Sequence, residues 1–441
     1  MSTSIFRITE HVVPGQHIRE YPNGTRHRQE EVLKLAVKQY TPLDSGGLAD
    51  DDPNAVTIIG GHANGFGKEI YEPLWDDLYL ELKKYDVKIR NIWIADMSHQ
   101  GASGVLNEAI QGDDASWFDH SRDLLQLINH FRAEMQRPLV GIAHSMGCAQ
   151  LVNLSIIHPR LLTSLILIEP VIQAGAPAGP NAGMVSTFRP DLWPSREAAT
   201  ESFRKNKVFQ AWDSRVLEKY ITYCLRELPT AIYPNINRYM PKQSSTKTAT
   251  RLPSQGAVTL TTSKHQEAWS YVRPSFHSLS TPASLSHLLS PDLDPSSDGL
   301  LLSHRGEPII TLRNLPHVRP SVLYIFGSNS PMSTADLQTE KLSLTGSGIG
   351  GSGGTVAGNV QKTVIAESGH LVACEHVTEC ANATAEWLAM RMKIWREEEQ
   401  ILKRYSSRKS KDGKMLVASK EWKELVRKPT YEKRPARDYK L

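Results

Sequence analysis

Ser145 stands in Ala143-His144-Ser145-Met146-Gly147, between the apolar run Leu139 to Ile142 and a segment patterned as a helix. Small residues two before and two after a serine allow a sharp strand-to-helix turn. Such a turn lifts the hydroxyl above the sheet edge and aims the following helix N-terminus at it. The hydroxyl becomes a nucleophile once a base takes its proton. Ser368-Gly369-His370 follows the last predicted strand, where a flexible turn can carry an imidazole to the serine, first as base and then as acid. That placement separates His370 from the other histidines; His62, His99 and His144 lack it, and His376 is its one close rival.

Two further features bear on the same chemistry. Gly60-Gly61-His62-Ala63-Asn64-Gly65-Phe66-Gly67 follows a compact strand. Backbone N–H groups of Asn64, or an adjacent residue, and of Met146 would hold the negative charge that develops on an attacked carbonyl. Each such donor is worth about 3 kcal/mol of transition-state stabilisation. An acid to orient His370 is harder to find. Past the strand Val322–Phe326, Gly327-Ser328-Asn329-Ser330 holds no carboxylate. Glu169, directly after the strand Leu165–Ile168, is the best substitute, with Asp336 second; Asp96 reads as a brace between loops.

These groups need a scaffold that gathers them. Val32–Tyr40, Val56–Ile59, Ile92–Ala95, Leu139–Ala143 and Leu165–Ile168 read as strands, separated by helical patterns that include Trp117 to Met135. Alternation of this kind implies a mostly parallel sheet with helices on both faces. Active groups then collect beyond the strands' carboxyl ends, where Gly61–Gly67, Asp96, Ser145 and Glu169 all fall. Residues 171–315 break the rhythm: one helix, Arg215 to Leu228, stands among Gly, Pro and Ser loops, and 243–300 shows little periodicity. An insertion there would lie over the active edge as a lid. The rhythm resumes with Val322–Phe326 and Lys362–Ala366 and closes with a helix from Thr378 to about Arg404. The expected organisation is a core in two parts, 1–170 and 316–404, a lid at 171–315 and a basic tail at 405–441. Gly346 to Gly351 forms a G-x-G-x-x-G, but it opens no helix and sits among more Gly and Ser, so it reads as a loop rather than a dinucleotide site.

Composition narrows the function classes. The 441 residues carry a net charge of +4, yet 401–441 hold 14 Lys/Arg against 5 Asp/Glu, a balance of +9 that leaves −5 elsewhere. The tail has neither interleaved aromatics nor a Gly-rich pattern, so it reads as a solvated extension and no nucleic-acid partner is expected. No stretch approaches the roughly 20 apolar residues of a membrane span, so no stable membrane insertion is expected. The four cysteines have no metal-ligand spacing and are too few for a disulfide framework, and no metal or organic cofactor is expected. The N-terminus lacks a secretory pattern. Tyr439-Lys440-Leu441 resembles the Ser-Lys-Leu peroxisomal address in its last two residues, so the expected location is peroxisomal or cytoplasmic.

The elbow, the upstream glycine-rich loop and the late Gly-His resemble the α/β-hydrolase superfamily. Gly61-His-Ala-Asn-Gly-Phe-Gly-Lys-Glu69, Gln100-Gly-Ala-Ser-Gly-Val-Leu-Asn107 and Thr345-Gly-Ser-Gly-Ile-Gly-Gly-Ser-Gly-Gly354 look like fungal hydrolases of toxin biosynthesis and the related yeast peroxisomal matrix lipase. The resemblance implies an α/β-hydrolase fold with an inserted lid. It also implies a serine hydrolase that cleaves an ester or thioester of a hydrophobic, lipid-like or polyketide-like acyl compound, with secondary metabolism as its setting. On this reading Ser145 attacks, His370 is base and acid, Glu169 orients His370, and Asn64 with Met146 bind the oxyanion. Acyl transfer on the same scaffold and a non-catalytic binding role remain open alternatives at this point, and oligomeric state is not legible.

Overall fold

The computed structural model describes residues 4–45, 52–175, 181–235, 256–273, 305–407 and 417–427, together with Leu288 and Asp292. The chain divides into two compact units, Met1–Arg391 and Met392–Leu441. The strands in chain order are β1 (Phe6–Pro14), β2 (Lys34–Pro42), β3 (Val56–Gly61), β4 (Ile89–Ala95), β5 (Leu139–His144), β6 (Ser164–Ile168), β7 (Leu192–Trp193), β8 (Leu225–Glu227), β9 (Val258–Leu260), β10 (Ser321–Gly327) and β11 (Val360–Ile365).

Eight of them form one sheet in the order β1-β2-β4-β3-β5-β6-β10-β11. The β1–β2 and β2–β4 pairs are antiparallel, and every pair from β4 to β11 is parallel. Every residue of β3, β4, β5, β6 and β10 is buried. Burial on both faces is why these strands appear in the sequence as unbroken apolar runs rather than alternating ones. Helix Trp117–His130 turns Leu124, Leu127 and Ile128 to the sheet, and Ser116 Oγ caps it by accepting the Phe118 N–H. Helix Met146–Ile157 is buried along most of its length, as a helix packed between the sheet and other helices must be.

The expected α/β-hydrolase sheet is therefore present, with corrections at four elements. β1 was not expected; it is an edge strand with a mixed exposed pattern, too weakly apolar to stand out. The helix expected over Trp117–Met135 ends at His130. The helix expected over Arg215–Leu228 spans Ser214–Tyr223, because β8 then leaves to pair with β9 through Leu225–Leu260. The described part of 243–300 holds β9 and helix Lys264–Tyr271, so it is more regular than its composition suggested. β7, β9 and β8 make a separate three-stranded sheet in the polypeptide between β6 and β10.

The aromatics of that insertion pack on one another. Phe203 lies 5.3 Å from Trp193 and 4.9 Å from Phe209, and Trp212 lies 4.8 Å from Phe209, by ring centroids. Phe66, in the glycine-rich loop, meets Trp212 edge-on at 5.4 Å, which joins the insertion to the core. The second unit includes helix Lys420–Arg427, whose Trp422, Leu425 and Val426 are exposed. The Tyr439-Lys440-Leu441 terminus lies outside the described residues. No described helix is long and apolar enough to cross a membrane.

Candidate active site

Ser145 joins β5 to the helix that follows, at φ 54° and ψ −116°. A side chain is strained there, and the turn persists because both flanks are fixed by packing. Ser145 N–H donates to the Ile168 carbonyl, and the buried Cys148 thiol lies 3.2 Å from the Ala143 carbonyl. Gly147 lets the first helical turn press on the glycine-rich loop. A Cβ there would stand 2.7 Å from the Gly61 carbonyl carbon and 2.9 Å from the His62 carbonyl oxygen.

The structure brings Ser145, His370 and Glu169 into one line. Ser145 Oγ is 2.9 Å from His370 Nε2, and His370 Nδ1 is 3.1 Å from Glu169 Oε2. Ser145 is 7% exposed, and the Glu169 carboxylate is fully buried. Glu169 also adopts a positive φ, 48°, so strain gathers at two of these three positions. Burial alone would raise its carboxyl pKa. Hydrogen bonds from His370, from Ser330 Oγ–H at 2.6 Å and from Gly327 N–H at 2.7 Å outweigh burial and hold it below the usual carboxylate range. An ionised carboxylate against Nδ1 keeps that nitrogen protonated and leaves Nε2 free to accept the serine proton.

The rivals lie elsewhere. Asp336 is exposed on the first turn of helix Ala335–Leu344 and makes no bond to His370. His376 points its Nδ1 towards Glu379, 3.5 Å away. Asp96 braces loops: Oδ1 accepts the Lys68 N–H at 2.8 Å, and Oδ2 accepts Lys68 Nζ at 2.7 Å and the Ala102 N–H at 2.9 Å.

In the glycine-rich loop, Ala63 N–H donates to Tyr71 Oη, Gly65 N–H to Gln100 Oε1 and Phe66 N–H to the Ala63 carbonyl. No acceptor among the described residues takes the N–H of Asn64 or of Met146. Buried donors left open beside an accessible serine hydroxyl are what an oxyanion site needs. The Asn64 side chain is engaged separately, with Nδ2 donating to the Glu267 carbonyl at 2.9 Å and Oδ1 accepting from Gln100 Nε2 at 2.6 Å.

Sequence reasoning overlooked several residues of this neighbourhood: Ser330, Gln100, Tyr71 and, as a structural partner, His144. Ser330 carried a signal, since it stands in the stretch after β10 where a carboxylate had been sought. Among the described residues no group of His, Cys, Asp and Glu side chains could hold a metal ion.

A model of the alpha/beta hydrolase family matches residues 59–383. The chain belongs to that family. The hydrolase is 39% identical over 437 residues to the type I acyl-CoA thioesterase mpaH' of Penicillium brevicompactum, with 97% of this chain and 96% of that protein aligned. The abhydrolase domain-containing protein AFT2-1 of Alternaria alternata is 27% identical over 283 residues, 60% of this chain and 92% of that protein. Among solved structures, the peroxisomal alpha-beta-hydrolase Lpx1 of Saccharomyces cerevisiae matches with a TM-score of 0.62 at 17% identity, covering 96% of the hydrolase and 95% of that chain. The resemblance read from the sequence to fungal hydrolases and to a yeast peroxisomal hydrolase is borne out, and with it the fold and the enzyme class.

Proposed function

We propose that this hydrolase cleaves the thioester of a hydrophobic acyl-coenzyme A through an acyl-Ser145 intermediate. The observation that carries the reading is the unbroken line from Ser145 Oγ through His370 to Glu169, on a chain aligned end to end with a named acyl-CoA thioesterase. His370 Nε2 takes the Ser145 proton as Oγ attacks the thioester carbonyl. The N–H groups of Asn64 and Met146 receive the oxyanion, and Glu169 offsets the imidazolium charge. Collapse of the tetrahedral adduct expels the coenzyme A thiolate, which takes the proton from His370. Water, deprotonated by His370, then attacks the acyl-serine and releases the carboxylic acid.

Residues 171–315 act as a lid in this reading. Two contacts support it: Asn64 Nδ2 donates to the Glu267 carbonyl, and Phe66 packs on Trp212, so the insertion meets the oxyanion loop itself. The relatives aligned with the chain favour a setting in secondary metabolism, and the terminal Lys440-Leu441 favours peroxisomal import. Fusing residues 430–441 to a fluorescent protein tests the address, and diffuse fluorescence would refute it.

Thiol release from acyl-coenzyme A esters of graded chain length tests the reaction. Wild type should prefer the longer chains, and Ser145→Ala should fall to the uncatalysed background. A Ser145→Ala protein that still releases thiol at the wild-type rate would sink the mechanism.

A further inference from the structure

Behind the nucleophile runs a buried chain of hydrogen bonds that the mechanism above does not use. Ala63 N–H donates to Tyr71 Oη at 2.9 Å, Tyr71 Oη lies 3.0 Å from His144 Nδ1, and His144 Nε2 lies 3.0 Å from the His370 carbonyl oxygen. Tyr71 is 3% exposed and His144 is not exposed at all.

The polarity of this chain is forced. A carbonyl oxygen only accepts, so His144 Nε2 carries a proton. Burial, with His370 nearby, lowers the His144 pKa to about 4, so the ring is neutral and its Nδ1 is bare. Tyr71 must then donate to Nδ1, and its lone pair is left for the Ala63 N–H. Burial also keeps the Tyr71 hydroxyl protonated, since its pKa lies well above the ordinary value. Every polar group in the path therefore has one partner in one direction.

Its endpoints are informative. Ala63 is the neighbour of Asn64, whose N–H is open for an oxyanion. The carbonyl at the other end belongs to His370 itself, the proposed base. His144 immediately precedes Ser145, and its ring lies 5.7 Å from the His370 ring by centroids. One strut thus ties the oxyanion loop, the elbow and the turn that carries the base.

We propose that Tyr71 and His144 are positioning residues that set the spacing between the oxyanion donors and the base for the reaction at Ser145. The inference rests on the proposed function of that site. Neither residue touches the reacting atoms. Each acts by holding main-chain segments, where misplacement by about 1 Å can cost about a hundredfold in rate.

The test compares Tyr71→Phe with Tyr324→Phe, which removes another buried hydroxyl, 2.7 Å from Thr345 Oγ1, on β10. Both should lower Tm. Tyr71→Phe alone should lower kcat for acyl-coenzyme A by about tenfold or more, with KM within about twofold and slower labelling of Ser145 by a fluorophosphonate. His144→Gln, which keeps a donor and an acceptor, should retain more kcat than His144→Leu. Tyr71→Phe with wild-type kcat, or equal losses in His144→Gln and His144→Leu, would overturn the strut while Ser145→Ala remains inactive. If Ser145→Ala is itself active, the functional reading has failed instead. Should Tyr71→Phe fail to fold, the two His144 variants decide the matter alone.

Discussion

Ser330 Oγ–H donates to Glu169 Oε2 at 2.6 Å, joining two residues 161 positions apart. Ser330 stands in the loop after β10, where the sequence offers no carboxylate, and Glu169 stands at the end of neighbouring β6. The two strands pair in parallel, Ile325 beside Ile168, so their ends reach the same side of His370. The carboxylate thus comes from one strand end and the hydroxyl that steadies it from the loop after the next strand.

Glu169→Gln removes the charge and keeps the shape. Because an amide can hold the imidazole in the wrong tautomer, kcat should fall by about 10⁴. Ser330→Ala keeps the charge and loses one hydrogen bond to it, at a cost of about 2 kcal/mol in stability and a smaller fall in kcat. Placing a carboxylate at the other strand end, Glu169→Gln with Ser330→Asp, should restore part of the lost rate. Steady-state kinetics on the three variants checks this. A Glu169→Gln enzyme within about tenfold of wild type would remove Glu169 from the mechanism.

Gly147→Ala should damage rate and stability together. The added methyl would meet backbone atoms of Gly61 and His62 at 2.7 and 2.9 Å, and backbone cannot step aside as a flexible side chain can. Overpacking of this kind costs about 1–3 kcal/mol. Relief by moving the elbow would shift the Met146 N–H, so kcat should fall by about a hundredfold, near the loss from removing one oxyanion donor. Thermal melts and kcat measured together test the pairing of effects. An unchanged kcat would show that the elbow and the loop do not need this close approach.

Much of this site was legible because its signals are local. The elbow shows in Ala143 and Gly147 around Ser145, the loop in Gly60 to Gly67, and the proposed base in Gly369-His370 after a strand. Fully buried parallel strands leave continuous apolar runs, so β3, β4, β5, β6 and β10 could be read within a residue or two at most ends. What escaped notice depends on pairing across the chain. β1 is recognisable only beside β2, and β8 exists because β9 is there to receive it. Tyr71 and His144 look like ordinary core residues until the fold sets one against the other. Glu169 could be named only as a substitute, because nothing in the sequence states which strand end faces His370.

Acid should unfold this protein through its neutral buried histidines. Burial lowers the pKa of His62, of His99 to about 3, of His120 and of His144 to about 4. Below about pH 6.5 the unfolded chain binds protons at these positions that the folded chain excludes, so stability falls as pH falls through that window. Each histidine removes about 1 kcal/mol per pH unit there. Glu169 adds to the trend lower down: its depressed pKa contributes stability that is present above the ordinary carboxylate range and lost below it. Denaturant titrations from pH 7 to pH 4.5 test this, and stability that stays flat over the range would contradict it. His120→Phe should flatten the slope by removing one titrating group, and among the described residues neither ring nitrogen of His120 has a hydrogen-bond partner to lose.

Asn64 should matter twice, and its two roles can be separated. Its N–H is a backbone group that survives substitution, whereas its side chain links Gln100 to the Glu267 carbonyl in the proposed lid. Helix Lys264–Tyr271, which carries Glu267, is held in turn by Ser186 Oγ–H at 2.7 Å from Glu267 Oε1 and by the partly buried Arg189–Glu267 ion pair. Asn64→Ala breaks the side-chain hydrogen bond from Asn64 to the Glu267 carbonyl of this helix and keeps the proposed oxyanion donor. It should raise KM for long-chain acyl-coenzyme A, lower kcat by about tenfold and leave the rate with a short ester such as p-nitrophenyl acetate nearly unchanged. Asn64→Asp should be worse, because a carboxylate would face the Glu267 carbonyl with no proton to offer. If Asn64→Ala slows short and long substrates equally, the side chain serves the oxyanion loop alone and the link to the insertion carries no part of substrate selection.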